Sequence, residues 1–351
     1  MSMTLVELTY YTRRAAIFAP FIFVTLLLIY VIVLRIAPWK PPPPSGPQVD
    51  PVFGKLKPID FSYKLDFPQQ PSYKLENILG RPINASETAK IFFIPPSKPQ
   101  FGYIQNINLK AKRVGFDTDL EKALINNDIA TYENTLQKLE VNINTYNYKY
   151  EYKYQQDLTV FDTPSFPDEE LIREYARNFL SDMGSYYPDL ARGSDNLIYL
   201  KYDPETDTFS VVPTPDLANV VEVDFFRDRI DSIDVVSPKY HNSQNYVVMT
   251  FGPTGFKPIK SAVQFYNIDT VNYGLYPTKT GETAWEELNQ GKGVIVSAVK
   301  NVSNVIITNM YFAYYDPEEY QQYLQPVYIF IGENRFAAYV PAVSNEYIES
   351  N

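Results

Sequence analysis

Residues 135–154 read TLQKLEVNINTYNYKYEYKY. Leu139, Val141 and Ile143 recur at every second position. After Thr145 the alternation resumes in a new phase, with Tyr146, Tyr148, Tyr150, Tyr152 and Tyr154 set against Asn147, Lys149, Glu151 and Lys153. A period of two is the signature of a β-strand, whose side chains point to opposite faces in turn. A helix would space its apolar residues three and four apart. A slip of one residue moves every side chain to the other face, so the stretch needs a bulge or tight turn near Asn144-Thr145.

The same period places all five tyrosine rings on one face, a candidate interaction surface for stacking on glycan or peptide. The competing reading is a ladder covered by a helix, with its hydroxyls reaching water at the rim.

Working outward, the periodicity switches between helix and strand. Residues 168–183 predict a helix with Asp168, Glu169 and Glu170 in its first turn, where the helix dipole favours acids. Leu171, Tyr175, Phe179 and Leu180 form its apolar face, and Gly184 ends it. Residues 197–202 and 209–212 flank a turn at 203–207, a hairpin pattern. Strands follow at 220–230, 246–251 and 261–266, then a helix at 280–290 with Ala284, Trp285 and Leu288 inward. A strand at 305–315 and a hairpin of 326–331 with 336–340 close the chain. Toward the N-terminus, residues 103–114 predict a short helix with Ile104, Ile107 and Ala111 on one face, ending at Gly115. Residues 48–100 are rich in proline and read as an extended lead-in with short strands, including AKIFFI at 89–94. The unit 102–155 echoes the unit 168–212, a helix followed by antiparallel strands. Short helices packed on antiparallel sheets make an α+β fold.

Residues 15–36 form an unbroken apolar run, AAIFAPFIFVTLLLIYVIVLRI, with no charge until Arg35. Twenty-two residues at about 1.5 Å rise span about 33 Å, enough for a bilayer core. Arg13 and Arg14 precede the run, which predicts a cytoplasmic N-terminus and an extracytoplasmic remainder. Trp39 and Lys40 suit an interfacial ending and favour an uncleaved signal anchor over a cleaved signal peptide, whose apolar region is shorter. Pro20 is read as lying near the helix start, where proline costs least. The organisation expected is a cytoplasmic tail at 1–14, a transmembrane helix at 15–37 and a Pro-rich spacer at 38–50. Two subdomains at 51–163 and 164–343 follow, then a tail at 344–351.

The net charge is −10. Residues 1–40 carry +3, leaving −13 beyond them. That balance disfavours nucleic acid and anionic surfaces as partners. The chain has no cysteine, which removes thiol catalysis, cysteine-based zinc sites and disulfides. The triplets Asn84-Ala-Ser86 and Asn301-Val-Ser303 read as surface turns.

Catalytic signals are weak. His241 is the single histidine and sits in a polar stretch, SPKYHNS, read as a solvated loop. No G-x-S-x-G occurs. If residues 220–234 are a strand, Asp224, Asp228 and Asp234 share a face, Asp231 points away, and Arg227 and Arg229 neutralise them as a salt-bridged surface. Asp203, Glu205 and Asp207 begin like a calcium loop, but Thr208 and Thr214 stand where glycine and glutamate belong, so this is turn chemistry. The expectation is no catalytic residue, no metal and no cofactor.

Four pieces resemble the extracytoplasmic domains of YycI/YycH-type regulators, which belong with PepSY-like modules. They are EYARNFL at 174–180, FFRDRIDSIDV at 225–235, ETAWEEL at 282–288, and YYDP at 314–317 followed by LQPVYIF at 324–330. AKRVGF at 111–116 looks like a worn first copy. The resemblance implies two related PepSY-like subdomains on a single-pass anchor. It also implies a non-enzymatic regulatory or scaffold role, binding another envelope protein such as a sensor kinase. A homo-oligomer stays open. The alternatives are a glycan- or peptide-binding module and a structural subunit of an envelope assembly.

Overall fold

Alternating side chains need a partner strand, and in the computed structural model residues 137–152 find one in each other. The structure describes residues 5–36, 48–162, 164–253, 255–299 and 302–350. The proline spacer at 41–44, Trp39, Lys40 and Asn301 lie outside the described residues.

In chain order the elements are α1 (Leu5–Ile36), β1 (Ser72–Leu75), β2 (Thr88–Phe93), α2 (Tyr103–Arg113), β3 (Leu124–Asn126), β4 (Ile129–Glu133), β5 (Gln137–Asn142) and β6 (Tyr148–Tyr152). Then come α3 (Glu169–Asp182), α4 (Pro188–Arg192), β7 (Asp195–Asp203), β8 (Thr208–Val211), β9 (Val220–Phe225), β10 (Val235–Val236), β11 (Tyr246–Gly252) and β12 (Gly255–Val263). The last are β13 (Asp269–Pro277), α5 (Gly281–Asn289), β14 (Val294–Ser297), β15 (Asn304–Tyr315), β16 (Tyr323–Leu324), β17 (Pro326–Gly332) and β18 (Ala337–Pro341). The fold is α+β, with mostly antiparallel sheets and few helices.

The chain divides into Met1–Gln48 and Val49–Asn351. In the first unit, Thr12–Val33 of α1 is long and apolar enough to cross a membrane. The helix begins at Leu5, so Pro20 is interior rather than near the start. A proline there leaves the carbonyl four residues back without its helical donor, a defect that membrane-spanning helices tolerate. The Thr25 hydroxyl donates to the Phe21 carbonyl at 2.8 Å, which satisfies a polar group without leaving the helix.

The second unit holds a nine-stranded sheet in the order β3-β4-β5-β6-β12-β11-β9-β7-β8. The change of phase at Asn144-Thr145 is the tight turn between β5 and β6, with Tyr146 in the left-handed region at φ 61°. Asp168 caps α3 by accepting from the Leu171 amide, and Thr280 caps α5 by accepting from the Thr283 amide. Helices α2 and α3 cover one face of the sheet. Ile107, Ala111, Ile172, Ala176 and Leu180 share a core with Leu139, Val141, Val221 and Val223. Ile104 and Leu171, expected on the inward faces, are 38% and 36% exposed, whereas Lys110 and Ile172 are buried.

Two further sheets complete the unit. One has the order β1-β15-β17-β18-β14, with β10 also on β15; the other is β13-β2-β16. The expected boundary at 163/164 is therefore corrected. β6 pairs with β12 across it, so β3–β9, β11 and β12 share one sheet. The lead-in joins the C-terminal strands instead, β1 beside β15 and β2 between β13 and β16. Of the expected tail at 344–351, the described residues 344–350 pack on the unit, because Ile348 bridges Leu56 and the Tyr347 ring packs on Tyr276. Alternation specifies that a strand exists but not which distant strand it pairs with.

Candidate functional site

The tyrosine ladder is interior. Tyr148, Tyr150, Tyr152 and Tyr154 are buried in the core beneath the helices, and Tyr146 is half-buried in the turn. Full burial of one large apolar side chain stabilises by about 2–3 kcal/mol, but each hydroxyl then needs a partner. Tyr148 meets the Ser261 hydroxyl at 2.9 Å, Tyr150 donates to Gln137 Oε1 at 3.1 Å, and Tyr152 donates to Asp157 Oδ2 at 2.8 Å. The five-tyrosine interaction surface is thus corrected: Tyr148, Tyr150, Tyr152 and Tyr154 belong to the core, and Tyr146 alone stays half-buried at the turn.

The open chemistry lies where the 226–241 segment crosses between the sheets. β9 ends at Phe225, so the strand premise for the aspartates fails beyond Asp224. Ile230 and Ile233 exchange backbone hydrogen bonds of 3.0 and 2.9 Å around Asp231 and Ser232, whose φ values are 50° and 65°. This is the mirror-image turn that suits a tight hairpin. It aims Asp231 at Lys90 of β2, 2.6 Å away, while Arg229 pairs with Asp234 at 2.6 Å. Arg192 holds Asp228 at 3.2 Å. The expected pairing of arginines with aspartates therefore occurs, but on a loop and partly with other elements.

Two clefts flank this segment. One of about 820 Å³ lies between residues 85–90, the 229–234 turn and the side of β15. The other, of about 580 Å³, is bounded by residues 192–196, 226–229 and 234–241. They share Arg229, Asp234, Tyr240 and Tyr311. The Tyr311 hydroxyl donates to that of Tyr240 at 3.0 Å, and burial raises the Tyr311 pKa above that of a free phenol.

Beneath the clefts sits a buried polar anchor. Arg227, whose side chain is 1% exposed, contacts Asp316 at 3.1 Å, Asp189 at 3.3 Å and the Tyr266 carbonyl at 2.9 Å. Its guanidinium lies 3.9 Å from the Phe265 ring centre. Gln244 donates to the other oxygen of Asp316 at 2.9 Å. Beside it, Asn242 donates to Glu222 at 3.2 Å and to Asp224 at 3.3 Å. Burial and the neighbouring Glu222 push the Asp224 carboxyl up to about 8.

His241 is half-buried rather than solvated. Its Nε2 faces the Arg335 carbonyl at 3.2 Å, and burial together with the Arg335 charge lowers its pKa. Of the residues singled out from sequence, the structure brings His241, Asp228 and Asp234 to the second cleft, and Asp231 and Asp234 to the first. Asp203, Glu205 and Asp207 form a turn in which Asp203 accepts from the Glu205 amide at 3.0 Å. Among the described residues, no group of three or more metal-ligating side chains converges. Lys90, Tyr240 and Tyr311 were not singled out from the sequence, because their neighbours lie far along the chain.

No family model matches this chain, and no curated protein does. Among solved structures, that of an uncharacterized protein from Eubacterium rectale ATCC 33656 is similar at 14% identity. The match covers 80% of this chain and 91% of that one, with a TM-score of 0.36.

Proposed function

We propose that the chain is a membrane-anchored, non-enzymatic regulatory or scaffold protein whose extracytoplasmic unit binds another cell-envelope protein. The observation that supports this reading is the pair of clefts flanking the 226–241 segment. Their charges are paired as Lys90 with Asp231, Arg229 with Asp234, and Arg192 with Asp228. Paired charges offer shape and hydrogen bonds rather than an activated nucleophile or a free base. The apolar helix Thr12–Val33 supports the anchor, and Arg13 and Arg14 before its apolar run support a cytoplasmic N-terminus by the positive-inside rule. The regulator-like pieces at 174–180 and 225–235 support a contact role, with a sensor kinase as one candidate partner.

The test is crosslinking in native membranes followed by identification of the adduct. A protein adduct on the extracytoplasmic side supports the reading. Recovery of glycan alone favours the binding-module alternative, which now rests on the Tyr240 and Tyr311 rings. Protease applied to intact cells should remove the C-terminal unit and leave a small anchored stub, and protection of that unit would overturn the topology.

A further inference from the structure

The face of the nine-stranded sheet turned away from the helices carries two acids side by side. Glu222 and Asp224 stand two residues apart on β9, so both point away from the core that Val221 and Val223 form with the helices. β11 sets Val248 and Tyr246 beside them, and β7 sets Ile198 and Asn196. One amide bridges the acids: Asn242 Nδ2 donates to Glu222 Oε1 at 3.2 Å and to Asp224 Oδ2 at 3.3 Å. Asp224 is fully buried, with no cation beside it among the described residues. Its Oδ1 has no hydrogen-bond partner.

Counting donors gives the state of the pair. Asn242 offers one N–H to each acid. Two ionised carboxylates would leave Asp224 Oδ1 bare and set like charges together out of water. One proton shared between the acids supplies the missing donor and removes one charge. Burial raises the Asp224 pKa foremost and Glu222 adds to it, against the Ser243 amide and Asn242. The titratable and charged groups facing the pair are Lys239, exposed on the segment above it, and Tyr246 of β11, whose pKa burial raises. β7 contributes only the neutral Asn196.

The segment that carries Asn242 is fixed at both ends and held between them. The Tyr339 hydroxyl donates to the Ser237 carbonyl at 2.7 Å, and the Ser243 hydroxyl to the Phe225 carbonyl at 2.6 Å. Between these ends Tyr240 lies in the left-handed region at φ 63°, which a tyrosine keeps only where its surroundings enforce it. Three side chains do so: Asn242 on the acids, Tyr240 with Tyr311 at 3.0 Å, and His241 with the Arg335 carbonyl at 3.2 Å. Ser237, Tyr240 and His241 also wall the cleft of about 580 Å³, together with Asn196.

We propose that Glu222 and Asp224 form a one-proton latch: sharing a proton, they hold residues 238–242 on β9 through Asn242, and its loss to solvent as pH rises frees that segment and opens the smaller cleft. The latch regulates the cleft of the partner-binding reading, and rests on that reading only for what enters.

Hydrogen exchange of the full chain in lipid nanodiscs tests the latch. Once opened, the acids are solvated and titrate in the ordinary range of about 4. Latched, they keep one proton up to about pH 8. Opening therefore releases one proton between those limits. The Tyr240 and His241 amides donate to the Ser237 and Lys239 carbonyls at 3.2 and 2.8 Å. Their protection, corrected for the base-catalysed rate of a free amide, should fall about tenfold per pH unit from about pH 5 to about 8 and level off above. Amides of β17 should show no such slope. Asp224→Asn keeps the shape, supplies a permanent donor and should flatten the slope. Glu222→Gln should do the same, and decides alone if Asp224→Asn fails to fold. Infrared difference spectra of the wild type across the same pH range should show one protonated carboxyl disappearing, a band that Asp224→Asn lacks. A flat wild-type profile overturns the latch. So does a slope that both variants retain, which would assign the titration to His241, or an equal slope in β17, which would mean global unfolding. Failure of the membrane crosslink would remove the partner-binding reading and leave the latch, and a flat exchange profile would do the reverse.

Discussion

Replacing Arg227 with alanine tests whether its buried contacts tie the parts of the second unit together. Its guanidinium joins the segment after β9 to Asp316 after β15, to Asp189 on α4 and to the Tyr266 carbonyl. Alanine removes all three contacts and the stack on Phe265, and leaves Asp316, whose side chain is 5% exposed, with only Gln244 as a donor. Breaking a buried pair from one side costs about 3–5 kcal/mol, because the remaining charge stays desolvated. The pH dependence has a definite sign. Burial already raises the Asp316 pKa, and Arg227 is the main opposing influence, so its removal raises that pKa further. A carboxyl whose folded pKa exceeds its unfolded value of about 3.9 contributes stability at low pH that is lost as pH rises through the folded pKa. The deficit of Arg227→Ala should thus be greatest at neutral and alkaline pH and shrink toward pH 4. Urea denaturation of the full chain in detergent, followed by tyrosine near-ultraviolet signal, measures it. The double variant with Asp316→Ala should recover about 1–3 kcal/mol of the loss by coupling. A deficit below about 1 kcal/mol, or one that grows on acidification, would refute the reasoning.

Three further outcomes follow from the same geometry. Asp224→Asn removes a carboxyl whose folded pKa is raised to about 8. Wild-type stability from that group is present at acidic pH and is lost as pH rises through about 8, so the variant should be flatter across that window and more stable by about 1–3 kcal/mol at pH 8.5. Lys110, buried against the Met183 carbonyl and Ser185, has a pKa lowered to about 8. Its burial costs stability below that value and relents as pH rises toward 10, so Lys110→Met should remove this alkaline gain in denaturation midpoints. Gly193→Ala places a methyl 1.9 Å from the Phe226 carbonyl. It should destabilise by about 1–3 kcal/mol and change amide exchange in residues 226–229, and an unchanged exchange pattern there would contradict the packing.

What the sequence determined is what short-range physics controls. Residues 12–33 are apolar throughout, so their helix and their length need no partner. Asp168, Thr280, Gly115 and Gly184 set helix ends by local hydrogen bonds or left-handed geometry. The alternation at 137–152 made two strands and the phase slip made their turn, because each depends only on neighbours along the chain. Tertiary structure decided the rest. Period two placed the tyrosines on one face without saying whether α2 and α3 cover it. β13 passed unread because its residues 270–273 are exposed on both sides of the alternation. The lead-in strands β1 and β2 carry no sign that their partners lie some 180–230 residues ahead. The cleft shares that reason, since Lys90 reaches Asp231 and Tyr240 reaches Tyr311 only after those strands have paired. Backbone hydrogen bonds are the same for every residue, so which strand lies beside which, and which edge stays open, is settled by how the whole chain packs.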